Sequence, residues 1–342
     1  MKHFGFSFLF TAVCLAVAAW WGYSHGGWGV VPATLFVVAV LGIMEVSLSF
    51  DNAVVNASVL KNWDEFWKKI FLTVGIFVAV FAMRLFFPLA IVSHTADLGI
   101  IEVWNLALQN PNEYSKQLTT YHAEISTFGG MFLLLVFLNF MFDSEKSTHW
   151  IGFVEKRLAN FGNINSAAVF VALLILMAVI QVVPAERQLS VLLFGLQGVL
   201  IYLGVKGISS LLEAKQEGSG ELVKKGSIGG FLYLEVLDAS FSFDGVIGAF
   251  AITKDIVLIM LGLGIGAIFV RSITIYLVDK GTLDEFVYLE SGAHWAIGAL
   301  AVIMLLSIKF HIHEVVTGLV GVVFIASSIV ASIIYKKRKK VT

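Results

Sequence analysis

Apolar residues gather in long blocks separated by short polar stretches. Ten blocks stand out, at about 5–22, 30–60, 66–93, 122–142, 166–183, 188–212, 228–252, 256–278, 290–308 and 314–335. A helix needs roughly 20 apolar residues to cross a hydrocarbon core about 30 Å thick, and several blocks reach or pass that length. The pattern predicts an all-α, polytopic membrane protein: one membrane domain over residues 1–342 with about ten transmembrane helices. The block 30–60 would span about 46 Å if straight, so it must tilt or break. The first block offers Ala16-Val17-Ala18 as small residues near a cleavage point of a signal peptide. Its continuation into Trp20 and Trp21 reads instead as the interface belt of a retained helix. The blocks 166–183 and 188–212 are joined only by Pro184-Ala185-Glu186-Arg187.

Composition agrees with that class. The chain is 58% hydrophobic and 14% charged, against about 25% charged residues in soluble domains. Its one cysteine, Cys14, allows neither an internal disulfide nor a cysteine metal cluster. No nucleic-acid motif is present. The placement of Lys and Arg sets orientation. With the N-terminus inside, Lys61, Lys68, Lys69, Lys146, Lys156, Arg157, Lys206, Lys215, Lys224 and Lys225 all fall on the inner side. So does the tail Lys336-Lys337-Arg338-Lys339-Lys340, which also suits lipid headgroups. The outer loop 94–121 holds only Lys116, and the inner loop 279–289 only Lys280. Ten spans place both termini in the cytoplasm, and the expected location is the bacterial inner membrane.

Within this apolar setting one polar stretch occurs twice. Glu45-Val46-Ser47-Leu48-Ser49-Phe50-Asp51-Asn52 returns as Asp238-Ala239-Ser240-Phe241-Ser242-Phe243-Asp244-Gly245. Each copy reads acid, any residue, Ser, apolar, Ser, Phe, Asp. A charge at mid-bilayer costs roughly 2.5–3.5 kcal/mol on insertion scales, so stability does not account for these acids. The copies lie in the second and seventh blocks, which run in opposite directions. The match extends to Gly75 and Arg84 against Gly262 and Arg271, and more loosely to Tyr121 and Glu124 against Tyr288 and Glu290. Two inverted three-helix repeats follow, about 30–142 and about 228–308. The blocks 5–22, 166–183, 188–212 and 314–335 are additions. Inverted repeats with a site near the midplane are a signature of secondary transporters.

On a helix, Glu45, Ser49, Asn52 and Asn56 share one stripe, while Ser47 and Asp51 share another about 120° away. The two acids meet at one ion only if the helix unwinds; otherwise each stripe faces a different neighbour. In the second copy Asp238 and Ser242 share a stripe, Ser240 and Asp244 share the other, and Gly245 and Ala249 replace the two Asn residues. The candidate metal set is Glu45, Ser49, Asp51, Asn52, Asp238, Ser242 and Asp244. Oxygen-only ligation suits Mg²⁺, Ca²⁺ or Mn²⁺. Glu235, Glu124, Arg84 and Arg271 are candidates for coupling or counter-charge, and carboxylates that also carry protons supply a means of coupling. Serine and asparagine in such helices also serve as packing glue. Glu290 and His294 stand near a helix start. His311, His313 and Glu314 resemble a metal cluster but fall at an aqueous boundary, where a solvated turn is expected.

The stretch from Glu45 to Ala53 resembles the Glu-x-x-Leu-Ser-x-Asp-Asn signature of the TerC family of bacterial integral membrane proteins, and Phe243-Asp244-Gly245-Val246 resembles that family's second acidic motif. TerC proteins are similar to the wider LysE-type exporters. The resemblance implies a tellurium-resistance-associated or metal-homeostasis protein, with Mn²⁺ efflux the usual proposal and Glu45, Asp51, Asn52, Asp238 and Asp244 as ligands. The chain departs in having about ten helices rather than about seven and in its long 94–121 loop, as a longer branch of the family would. The expectation is thus a non-enzymatic exporter of Mn²⁺ or Ca²⁺, coupled to protons, with no permanent cofactor. Its partners are the cation, the bilayer, and a second copy or a cytoplasmic protein. Two other readings compete: a non-transporting subunit of a metal- or tellurite-stress complex, docking through loops 143–165 and 213–227, and an intramembrane aspartyl enzyme using Asp51 and Asp244.

Overall fold

The first block forms α1 (Gly5–Gly26), and the long second block folds as two helices, α2 (Val31–Leu48) and α3 (Phe50–Leu60). This computed structural model describes residues 3–339 apart from 62, 97, 145, 147, 161–165, 215–227, 282–285, 311 and 313, and no side chains at 72, 83, 87, 91, 94–96, 209–214, 243, 244, 314, 315 and 339. The break falls at Ser49, whose backbone leaves the helical region at φ −105, ψ 16. Hydrogen bonding runs through it: Ser49 N–H donates to Glu45 O at 3.0 Å, and Ala53 N–H to Ser49 O at 3.1 Å. The chain bends where its polar side chains crowd, and the over-long block is accommodated there.

Next comes α4 (Glu65–Ile70), capped by Asp64, which accepts from Trp67 N–H. It continues as two π-helical stretches, Phe71–Gly75 and Val78–Phe86, and then as α5 (Phe87–Ala96). The segment 94–121, expected as a loop, folds as a helical hairpin, α6 (Ile100–Gln109) and α7 (Pro111–Thr120). Asn110 caps α7 by accepting from Glu113 N–H, and Pro111 fits the first helical position, where its missing N–H costs nothing. Val103, Ala107, Tyr114 and Leu118 bury this hairpin in one cluster with Leu41, Val246, Phe250 and Ile259. It therefore sits over one end of the helices that carry the motifs.

The rest of the chain is α8 (His122–Met141), α9 (Gly152–Ala159), α10 (Ala167–Ile180), α11 (Gln188–Ala214), α12 (Ile228–Ile252), α13 (Ile256–Asp279), α14 (Leu289–Ser307) and α15 (Glu314–Lys339). The protein is all-helical, and among the described residues eight helices are long and apolar enough to cross a membrane. Those eight omit α12, which has 25 residues but carries Glu235, Asp238 and Asp244, and α10, which has only 14. Large apolar side chains such as Phe8, Leu200 and Val323 are exposed on α1, α11 and α15. That surface fits a surrounding of lipid.

The packing follows from small residues. Gly262 and Gly266, one turn apart on α13, seat that helix against α2: a Cβ on Gly262 would lie 3.0 Å from Val38 O, and one on Gly266 2.8 Å from Gly42 O. Such small-xxx-small crossings are the common means of close helix approach in membranes. α8 packs on α14 and α11, α14 on α15, and α12 on the π-helical stretch Val78–Phe86. Trp21 ties α1 to the start of α13 by donating its indole N–H to Asp255 at 2.8 Å. Off the helical body, Glu155 on α9 is fully buried. It accepts from Lys146 Nζ at 2.6 Å, Ile151 N–H at 3.0 Å and Trp295 Nε1 at 3.0 Å, fastening Lys146 and the start of α9 to α14. Burial alone would raise the pKa of this carboxyl, but those donors and the Lys146 charge outweigh it and hold it below its ordinary value.

Candidate functional site

Both motif acids at the first position sit near the middle of their helical spans, and both are held by an arginine. Glu45 is 1% exposed. Its Oε1 accepts from Arg84 Nη2 and, at 2.9 Å, from Ser49 Oγ one turn on. Arg84 belongs to the π-helical stretch, and its second nitrogen donates to Ala79 O at 2.5 Å, five residues back. π-Turns widen a helix and recur at functional sites. On the other side, Asp238 Oδ2 accepts from Arg271 Nη2 at 2.9 Å, and that same nitrogen lies 3.2 and 3.3 Å from the two oxygens of Glu235. Arg271 also donates to Phe71 O at 3.2 Å and stacks 3.8 Å from the Phe71 ring. An unpartnered carboxylate is costly to bury, and the arginines supply the partners here.

The two halves then touch crosswise. Asn52 Nδ2, one turn past the break, donates to Asp238 Oδ1. The corresponding place in the second motif is Gly245, where an added Cβ would stand 2.8 Å from Glu45 Oε2. Each motif helix thus reaches the first acid of the other motif, but only one of them brings a donor. Asp238 has both oxygens bonded, while Glu45 Oε2 has no partner. Asn52 Oδ1, both amide atoms of Asn56, Ser242 Oγ and Arg84 Nε are likewise buried without a partner among the described residues. Most buried side-chain polar atoms in proteins do find a partner. These open oxygens belong to Glu45 on α2 and to the motif helices α3 and α12.

Asp51 follows the other course open to it. It is buried, accepts from Asn52 N–H at 2.9 Å, and faces α15, where a Cβ on Gly321 would lie 2.6 Å from its Oδ2. Glu45 and Asp51 therefore face different neighbours across the break. Ser49 serves Glu45 directly. Ser47 is exposed and bonds back to Ile43 O at 2.8 Å, and Ser240 bonds back to Val236 O. The Asp244 side chain, and His311 and His313, lie outside the described residues. Among the described residues no three His, Cys, Asp or Glu side chains converge on one point. Ligands beyond a carboxylate would accordingly come from amide and hydroxyl oxygens.

Glu124 is engaged elsewhere. At the start of α8 it accepts from Arg187 Nη2 at 2.7 Å and Ser190 Oγ at 2.7 Å, joining α8 to α11. Arg187, in the short turn before α11, carried no signal in the sequence beyond standing next to Glu186 between two apolar blocks. Glu290 pairs with Lys61 at 3.6 Å, linking the end of α3 to the start of α14, and His294 stacks on Phe140 at 3.6 Å. A cavity of about 320 Å³, lined by Thr119, His122, Ile247, Ser307 and Lys309 among others, opens near the start of α8 and the end of α14. Ile247 is less than one turn beyond Asp244 on α12. The π-helical seat of Arg84 and the close approach of Gly266 on α13 to Gly42 O are features around these residues that residue types alone did not mark.

Searches among curated proteins and among solved structures return no match. A family described as a protein of unknown function, DUF475, does match, over residues 50–339, which takes in α3 with Asp51 and Asn52, the whole second motif and both arginines. With most of its length inside that match, the chain belongs to the DUF475 family of proteins of unknown function.

Proposed function

We propose that the chain is an inner-membrane transporter of a divalent cation, Mn²⁺ before Ca²⁺, moving it outward in exchange for protons. The observation that carries this reading is the set of open oxygens, Glu45 Oε2, Asn52 Oδ1 and Ser242 Oγ, buried where the two motif helices meet. They are hard, oxygen-only ligands of the kind that hold Mn²⁺, Ca²⁺ or Mg²⁺. The arginines supply fixed counter-charge, so the centre retains acids without collapsing.

The inverted-repeat architecture is part of the proposal. Adding α12 and α10 to the eight long apolar helices gives ten spans. The crosswise contacts Asn52 to Asp238 and Gly245 to Glu45, and the pairing of each motif acid with the arginine of its own half, fit a two-fold relation between 30–142 and 228–308. Both α8 and α14 also begin directly after a tyrosine, Tyr121 and Tyr288. In this arrangement the cytoplasm lies at the Lys61 end of α3, and the cavity beside Ile247 opens outward. The TerC resemblance of the first motif points to the same chemistry.

Uptake of ⁵⁴Mn²⁺ into vesicles containing the purified protein tests the reading. Wild-type protein should move the ion. Asp51→Asn and Asp244→Asn should insert normally, because removing a charge eases insertion, and should abolish transport. Normal transport by both variants would make these acids structural and end the proposal.

A further inference from the structure

Asn56 lies one turn beyond Asn52 on α3 and is fully buried. Neither its Oδ1 nor its Nδ2 has a partner among the described residues. A helix side chain four residues on points to the same face, about 6 Å further along the axis. The Asn52 and Asn56 amide oxygens therefore stand in file, with the Glu45 carboxylate behind them and the Lys61–Glu290 pair ahead at the end of the helix. Nothing comparable exists on α12, where the corresponding positions are Gly245 and Ala249. The polar file belongs to one half of the molecule only.

Packing does not explain Asn56. An amide buried with neither atom bonded is destabilising, whereas an apolar side chain of the same shape in its place would not be. Polar glue between helices needs a partner on the other helix, and Asn56 has none. Its neighbours in sequence on α3, Val54, Val55, Ala57 and Leu60, are all apolar and buried. Of the other polar side chains on α3, Asp51 accepts from Asn52 N–H, Asn52 donates to Asp238 and Ser58 to Val55 O, while neither polar atom of Asn56 has a partner among the described residues.

We infer that the Asn56 amide, with the Asn52 oxygen to which it hands the ion on in the main site, forms a neutral station for a partly dehydrated divalent cation on the cytoplasmic side of the carboxylates. This rests on the transport reading and adds to it the route by which the cation reaches the acids. An amide oxygen is a hard ligand without charge. It replaces water on the ion yet holds it weakly, and conduction needs sites that bind enough to admit an ion and little enough to release it. The carboxylates set the equilibrium affinity, and the Asn56 amide sets the rate of arrival.

The test separates rate from affinity. Asn56→Leu keeps the branching and heavy-atom count of the side chain and removes both polar atoms. It should melt at or above the wild-type temperature in cation-free detergent solution. Mn²⁺ binding at equilibrium, followed by the electron paramagnetic resonance of the free ion, should stay within about threefold of wild type, while ⁵⁴Mn²⁺ uptake falls about tenfold, the loss of one modest contact from the barrier. Asn56→Ala should give the same split and serves if the leucine variant does not fold. Uptake equal to wild type would overturn the inference and leave the transport reading intact. Binding that falls in step with uptake would overturn it too, by making Asn56 a ligand of the main site. A wild-type protein that moves no divalent cation would remove the reading and the inference together.

Discussion

Arg271→Met removes the charge that two acids share and keeps an unbranched apolar stem. Arg271 is 2% exposed and donates to Asp238, Glu235 and the Phe71 carbonyl while stacking on the Phe71 ring. Breaking one buried ion pair by deleting a partner costs about 3–5 kcal/mol. Two carboxylates lose their partner here, but one can take up a proton, so the loss stays near that of a single pair. A change of that size multiplies the unfolded fraction by about two to nearly four powers of ten. Asp238→Asn in the same chain removes the stranded charge and still offers an oxygen to Asn52. The double variant should recover at least about 1.5 kcal/mol relative to the sum of the single losses, within the range seen for contacting residues. Arg271→Lys should fall between, since an ammonium cannot stack and span two carboxylates and a carbonyl together. The assay is unfolding by sodium dodecyl sulfate in mixed micelles, followed through the fluorescence of the eight tryptophans. If Arg271→Met unfolds with the wild type, or the double variant shows no recovery, the arginine is not what stabilises these acids.

Reporter fusions after Lys69 and after Lys225 should both report cytoplasm, and one near Asn112 the outside; fusions at Lys69 and Lys225 on opposite sides would break the inverted-repeat proposal. Glu155→Gln should loosen the segment 146–155 by about 2 kcal/mol, the worth of hydrogen bonds to a charged group, read as faster proteolysis between Lys146 and α9. Glu155 has a folded pKa below its ordinary value, so its contribution is present above the unfolded pKa of about 4.3 and is lost as pH falls through the lower folded value. Wild type and variant should differ at neutral pH and converge in acid, and a difference that is unchanged in acid would refute this assignment.

The helices were legible because lipid imposes one rule, a long apolar run, and the runs at 122–142, 256–278 and 290–308 match α8, α13 and α14 closely. The length of 30–60 left tilt and a break at the polar motif as alternatives, and the structure takes the break, at Ser49. The hairpin α6–α7 was not, because its apolar face is narrow and its burial comes from α2, α12 and α13. The motif acids and both arginines could be named from their types alone. What could not be read was who pairs with whom. Glu124 goes to Arg187, a residue far along the chain, and Asp51 turns to Gly321 on the last helix, because partners across a helix bundle leave no local pattern. The π-helical stretch was invisible for another reason: Val78–Phe86 is an ordinary apolar sequence, and its widening answers the packing of α12 and the pull of Glu45 on Arg84.

Charge arithmetic constrains which ion the centre can hold. Four described carboxylates, Glu45, Asp51, Glu235 and Asp238, are buried against two buried guanidinium groups, Arg84 and Arg271. Were all four ionised, the surplus would be two negative charges, and an apolar interior tolerates such a surplus only when something neutralises it. One divalent cation closes the balance in a single step. Monovalent ions would have to enter as a pair, whose mutual repulsion inside a poorly screened interior works against joint occupancy. Asp244 adds a fifth acid on α12. With the cation bound, one charge is then left over for a proton, and with the cation gone the same acids need three. Under the proposed exchange of a divalent cation against protons the surplus would never stand open, and the unequal motifs would divide the work: Asp238, bonded on both oxygens, would stay fixed, while Glu45, with one oxygen free, would receive the ion.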